Sequence, residues 1–241
     1  MIRILRPIPV ESIKLLVFDL DGTLIDSAQD LCNSVNATLE HCNLPRLPDS
    51  QIAGYIGDGA LMLMRRALAA EKGVDADEAF LSRAYEFFLA YYREHKLDFT
   101  YAYAGVTEAL QALSTSLDGV ARKMAVLTNK PVRPAQAICE ALGLAPFFIA
   151  IHGGNSFATK KPDPEGIRAV MEQAGARPEE TVMIGDSEVD VNTARNAGTW
   201  SIGCTFGLAP QTLECAPPDV LVDAPSDWTA VLAAAKIEVR Q

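Results

Sequence analysis

The apolar positions change period twice along the chain. Leu15, Leu16, Val17 and Phe18 form a short continuous apolar run. That is the pattern of a strand buried on both faces, and a strand is predicted over residues 13–20. From about residue 26 to residue 100 the period is helical. Ala28, Leu31, Val35 and Leu39 recur at three and four residues, with Asp26 or Ser27 placed to cap them. Leu61, Met64 and Leu68 predict a second helix ending near Gly73. Phe80, Ala84, Phe88 and Tyr91 predict a third, widened by Tyr85, Leu89 and Tyr92. No β-rich segment interrupts this stretch. Its aromatic stripe reads as the core of a helical bundle rather than as a stacking platform.

After Gly105 strand and helix alternate. Helices are predicted over 106–117, from Pro131 to a stop at Gly143, over 164–174, over 188–197 and over 227–235. Strands are predicted over 123–127, 147–151, 181–184, 200–202 and 220–222. Such alternation predicts an α/β fold, a doubly wound, mostly parallel sheet with helices on both faces. The helical stretch then stands as an inserted all-α unit. The expected division is a core of residues 1–24 and 102–241 with an insert of residues 25–101. Residues 1–12 read as a loose lead-in, because Pro7 and Pro9 block regular structure.

Ligands of such sheets sit at the C-terminal ends of the strands. Three predicted strand ends carry polar chemistry. The first is Asp19 and Asp21 in DLDGTLIDS, the second Thr128 and Asn129, the third Asp186 and Asp190 in GDSEVD. Asp19 and Asp21 share a strand face up to the turn at Gly22. Unpaired buried carboxylates are costly, so two at one strand end call for a cation. Asp190 lies one helical turn beyond Asp186 and can share its side. Magnesium takes oxygen ligands and keeps several waters. Asp19, Asp186 and a main-chain carbonyl at Asp21 leave room for a phosphate oxygen. Thr128 and the amides after it offer donors at a helix start. Lys161, stiffened by Pro162 and Pro164, offers a point charge. The chemistry read from these residues is covalent phosphoryl transfer. Asp19 attacks, Asp21 acts as acid and then base, and Lys161 and Thr128 hold the phosphoryl charge.

Composition narrows the partners. The net charge of -10 over 241 residues disfavours a nucleic-acid groove or an anionic membrane surface. It leaves a small anionic ester possible where lysine and metal cluster. No run approaches the roughly 20 apolar residues of a membrane span, and the first residues lack the apolar centre of a secretory signal. Five scattered cysteines without a Cys-x-x-Cys pair indicate neither a disulfide frame nor a zinc site, and point to a reducing cytoplasm. A monomer or homodimer is expected.

DLDGTLIDS, the Thr128 turn, Lys161-Pro162 and GDSEVD resemble the four ordered motifs of the haloacid dehalogenase superfamily of phosphatases. The resemblance spans nearly the whole chain. It implies a Rossmann-like core with a helical cap after the first motif. It further implies an Asp19 nucleophile, an Asp21 acid/base, phosphate contacts from Thr128, Asn129 and Lys161, and Mg2+ at Asp19, Asp21 and Asp186, with Asp190 in support. Asp21 points away from dehalogenation. Within the superfamily, GYIGDGALMLMRRAL resembles the cap of bacterial phosphoglycolate phosphatases. That implies substrate contacts from Gly57, Gly59 and Arg66. Asp58 departs from the uncharged polar residue expected there, and Ala104 from a proline at the hinge.

Other readings are a phosphatase for a sugar phosphate or nucleotide, a phosphomutase, and a non-catalytic binding protein that has lost an acidic residue. A dinucleotide-binding oxidoreductase lacks its glycine fingerprint after the first strand. A serine hydrolase lacks its Gly-x-Ser-x-Gly turn, and His152 reads as a structural histidine.

Overall fold

The computed structural model describes residues 1–72, 77–115 and 122–233. The chain opens with β1 (Arg3–Ile4), β2 (Leu15–Phe18) and β3 (Ile25–Asp26). Four helices come next: α1 (Ala28–His41), α2 (Asp49–Ala53), α3 (Ala60–Lys72) and α4 (Glu78–His95). Then come β4 (Tyr101–Ala102), α5 (Val106–Ser114), β5 (Lys123–Leu127), α6 (Val132–Ala141) and β6 (Ile151–His152). The chain continues through α7 (Glu165–Ala174), β7 (Thr181–Gly185), α8 (Glu188–Ala197), β8 (Trp200–Cys204), β9 (Val220–Val222) and α9 (Ser226–Ala233). The predicted helix ends at Gly73, Leu117 and Ala235 lie outside the described residues.

Seven strands form one sheet in the order β1-β9-β8-β7-β2-β5-β6. β2 is central, parallel to β5 on one side and β7 on the other. Its alternation explains the two covering layers. Leu16 and Phe18 face α5, α6 and α9, where Leu110, Ile138 and Trp228 are buried. Leu15 and Val17 face α7 and α8, where Ile167, Val170 and Ala194 are buried. A strand covered on both sides has no polar face, hence its continuous apolar run.

The predicted lead-in is partly ordered. Arg3 and Ile4 pair antiparallel with Leu221 and Val220 at the sheet edge. Pro7 and Pro9 come after this pairing and leave it intact. Over 147–151 the strand is shorter than expected: Ala145–Phe147 is a single tight turn, and only Ile151 and His152 pair.

The helices of residues 28–95 close around their own core, which includes Leu31, Val35, Leu39, Ile52, Met64, Leu68, Leu81 and Phe88. On α4 the buried positions are Leu81, Ala84, Phe88 and Tyr92. Phe80 and Tyr91, expected inside, are only partly covered. A two-stranded ribbon, β3 with β4, holds the chain's exit beside its return, pairing Asp26 with Tyr101. The buried Asp30 carboxylate fastens the return. It accepts hydrogen bonds from the Thr100 amide (2.8 Å) and hydroxyl (2.6 Å) and from the Phe99 amide (3.0 Å). No helix among the described residues is long and apolar enough to cross a membrane.

Candidate active site

The C-terminal ends of β2, β5 and β7 are adjacent by register, because Phe18 is level with Val126 and Ile184. The residues after these positions therefore arrive at one rim. Carboxylate oxygens of Asp19, Asp186 and Asp190 lie within 4.8 Å of one another. Sequence spacing placed Asp190 as a support, and it sits inside this cluster. The Asp21 carboxylate is not in this group and is held by Ser27 and Lys130.

Each acid has its own restraint. Lys161 Nζ lies 2.9 Å from Asp19 Oδ1 and 2.6 Å from Asp190 Oδ1. The second Asp190 oxygen caps α8, accepting from the Ser187 hydroxyl at 2.7 Å and its amide at 3.2 Å. Asp186 Oδ2 accepts from the main-chain amides of Leu208 (2.7 Å) and Ala209 (2.9 Å). Asp21 Oδ1 accepts from Ser27 Oγ at 2.5 Å, and Lys130 Nζ lies 2.9 and 3.1 Å from its two oxygens. Gly22 makes this crowding possible. It adopts φ +82°, and a Cβ there would sit 2.2 Å from Asp186 Oδ2.

Burial sets the electrostatics. Asp186 is raised to about 8, first by burial and then by Asp190 and Asp19. Asp19 is raised to about 6 by burial, with Lys161 opposing the rise. Burial disfavours both ammonium groups, but Asp19 and Asp190 more than offset this at Lys161, as Asp21 does at Lys130. When all four carboxylates are ionised they face two buried ammonium groups, leaving two negative charges. An all-oxygen donor set with that surplus fits a hard divalent cation.

Thr128 and Asn129 come after β5 at the same rim. Thr128 Oγ1 accepts from the Lys130 amide at 3.2 Å. Asn129 Nδ2 donates to the carbonyls of Lys161 and Gly57, both at 3.1 Å. The Gly57 contact brings in the loop between α2 and α3. Lys160 Nζ adds a bond to the Asp58 carbonyl at 2.5 Å. A narrow cleft remains between rim and helices. Asp19, Asp21, Thr128 and Asn129 line it from the sheet, and Gly57, Gly59, Leu63 and Tyr92 from the helical side.

The structure therefore gathers Asp19, Asp21, Thr128, Asn129, Asp186, Gly57 and Gly59 around one cleft, with Lys161 and Asp190 directly behind. Arg66 stands apart. Its guanidinium pairs with Asp58 and donates to the Tyr55 carbonyl at 3.1 Å, and it is not among the cleft-lining residues. The same pair accounts for the acid at position 58, whose charge is answered within the loop. His152 packs against Phe157, with ring centroids 5.0 Å apart.

Sequence reasoning gave no role at the rim to Lys130, Ser27 or Tyr92, nor to the amides of Leu208 and Ala209. Lys130 carried a usable signal. A lysine between a buried strand and a proline-led helix start has little route to solvent, so it needs a buried anion. Main-chain donors leave no mark in the sequence.

The profile of the haloacid dehalogenase-like hydrolase family matches residues 16–204. The chain is 39% identical over 200 residues to the phosphoglycolate phosphatase of Chromobacterium violaceum, covering 83% of this chain and 88% of that protein. It is 38% identical over 209 residues to the Agrobacterium fabrum phosphoglycolate phosphatase, covering 87% and 88%. Among solved structures, a predicted phosphoglycolate phosphatase from Haemophilus somnus superposes with a TM-score of 0.85 at 31% identity, over 91% of this chain and 98% of that one.

Proposed function

From membership of the haloacid dehalogenase-like hydrolase family, to which this chain belongs, we propose that it is a Mg2+-dependent phosphatase. Its substrate in this reading is 2-phosphoglycolate, released as glycolate and inorganic phosphate. The observation that carries the reading is the convergence of Asp19, Asp186 and Asp190 on one buried point with Lys161 between two of them. The names of the relatives at 38–39% identity support the substrate.

Asp19 is the nucleophile. One of its oxygens bonds to phosphorus as the ester oxygen leaves, giving an aspartyl-phosphate. Asp21 stands two residues on, bordering the same cleft, and delivers a proton to the leaving oxygen. It then takes a proton from the water that hydrolyses the intermediate. Ser27 and Lys130 fix its carboxylate for both steps. Lys161 holds Asp19 in place and balances the phosphoryl charge, while Thr128, Asn129 and the amides at the start of α6 receive its oxygens. Asp19, Asp186 and the main chain at Asp21 would hold the cation, which supplies charge neutralisation on the transferring group.

Residues 25–101 act in this reading as a cap over a core of residues 1–24 and 102–241. Gly57 and Asp58, bonded to Asn129 and Lys160, are the closing contacts. A closed cap keeps competing water from the aspartyl-phosphate until hydrolysis. Release of phosphate from a panel of small phosphate esters tests the assignment. A kcat/KM highest for 2-phosphoglycolate supports it, and a clear preference for a sugar phosphate or nucleotide overturns it.

A further inference from the structure

One cation of the cleft is not needed to hold the phosphoryl group. Lys130 Nζ lies 2.9 Å from Asp21 Oδ1 and 4.8 Å from the centre of the ring of Tyr92, a residue of the helical insert. Its side chain is 3% exposed. Two of its three protons go to Asp21 Oδ1 and Oδ2, and the third is turned toward the Tyr92 hydroxyl. Beside it the Tyr92 hydroxyl is buried without a well-aligned hydrogen-bond partner among the described residues. A buried hydroxyl in that state costs free energy unless a ligand completes it. Both residues border the cleft. Ammonium and hydroxyl together form a receptor for an anion.

The position of this receptor fits the substrate proposed above. Asp21 must reach the ester oxygen to protonate it. In 2-phosphoglycolate the carboxylate carbon is two bonds from that oxygen, through a single methylene. A cation in contact with Asp21 is therefore within reach of the carboxylate when the ester oxygen meets the acid. Arg66, the cap residue suggested by sequence, is engaged with Asp58 and Tyr55 instead.

We propose that Lys130 and Tyr92 bind the carboxylate of the substrate and so set the preference for a phosphate ester carrying an anion one methylene away. The specificity cation is then supplied by the turn after β5, and the helical insert contributes a hydroxyl. The incoming carboxylate takes the Lys130 proton that faces Tyr92 together with the Tyr92 hydroxyl, while Asp21 keeps Ser27. The inference rests on the phosphatase reading, and its test separates the two.

The test compares kcat/KM for 2-phosphoglycolate and for ethyl phosphate, which keeps the O–CH2 link and lacks the carboxylate, in the full-length protein with Mg2+. In Lys130→Met the ratio between the two substrates falls by about 100-fold, mainly through a higher KM for 2-phosphoglycolate. Tyr92→Phe keeps the ring beneath the ammonium and lowers the ratio by about 3- to 10-fold. This variant keeps the proposal testable if Lys130→Met does not fold. Arg66→Ala leaves the ratio unchanged. An equal fall for both substrates in Lys130→Met and an unchanged ratio in Tyr92→Phe overturn the inference while the phosphatase reading stands. A collapse of the ratio in Arg66→Ala overturns it too. A wild-type protein that hydrolyses both esters equally overturns the inference and the substrate assignment together.

Discussion

The rim of the sheet and the helical roof above it meet at the same cleft, yet they are built on different terms. At the rim every acidic side chain is held by named partners, and strand register sets the backbone beneath it. Asp19, Asp186 and Asp190 come from positions far apart in sequence and coexist because Lys161 and amide donors answer part of their charge. The roof reaches the cleft through a loop and one helix face. Its polar ties to the rim are light: Gly57 and Asp58 carbonyls bonded to Asn129 and Lys160. In the proposed reading the rim gives the fixed geometry for phosphoryl chemistry, and the roof supplies closure. Substitutions in the two regions therefore differ in kind as well as size.

The largest effect is expected at Asp19. Asp19→Asn removes the nucleophile and lowers kcat by about 10⁴-fold or more while leaving the thermal melt intact. Steady-state phosphate release checks this, and a variant within tenfold of wild type breaks the covalent route. Lys161→Met comes next. It strips the ammonium from between two buried carboxylates, so it costs about 3–5 kcal/mol of stability as well as activity. Denaturant unfolding without added metal measures the loss. A stability change below about 1 kcal/mol would show that Lys161 does not balance these charges.

The third prediction concerns pH. In the metal-free protein Asp186 titrates near 8, far above an ordinary carboxylate. The folded state then binds a proton that the unfolded state has lost, so this group's stabilisation falls as pH rises from about 4 through about 8. Mg2+ needs the ionised form. Its affinity tightens on the order of tenfold or more from pH 6 to pH 8, and the rise in Tm on adding Mg2+ grows with it. Melts with and without Mg2+ at both pH values test this, and an equal rise at the two contradicts it. The smallest effect belongs to the roof. Gly59 sits at φ +86°, and a Cβ there would lie 2.9 Å from the Asn129 carbonyl. Gly59→Ala lifts the loop and lowers kcat/KM by roughly tenfold, with little change in the core's unfolding. A loss confined to stability would place the loop outside the catalytic cycle.

This difference between regions also governs what could be read without coordinates. The rim was legible because three of its chemical residues end apolar runs: Asp19 after Phe18, Thr128 after Leu127, Asp186 after Gly185. Burial beside a charge is a contradiction that a sequence displays openly. The roof was legible only as helices. Choosing between Tyr91 and Tyr92 as the inward residue depends on how α4 rests on α1, which periodicity alone does not fix. The short pairings β1 with β9 and β3 with β4 were missed because two-residue strands carry no alternation to detect. Lys130 was passed over because its partner, Asp21, lies 109 residues away.

In the proposed reading a divalent cation completes the charge of the rim, and one measurement addresses this directly. Phosphate release from 2-phosphoglycolate is followed in protein stripped with EDTA, verified metal-free by elemental analysis, and then titrated with Mg2+. Release is expected at background in the stripped protein, with full recovery on titration. Undiminished release from the verified metal-free protein would show that the rim works without the cation.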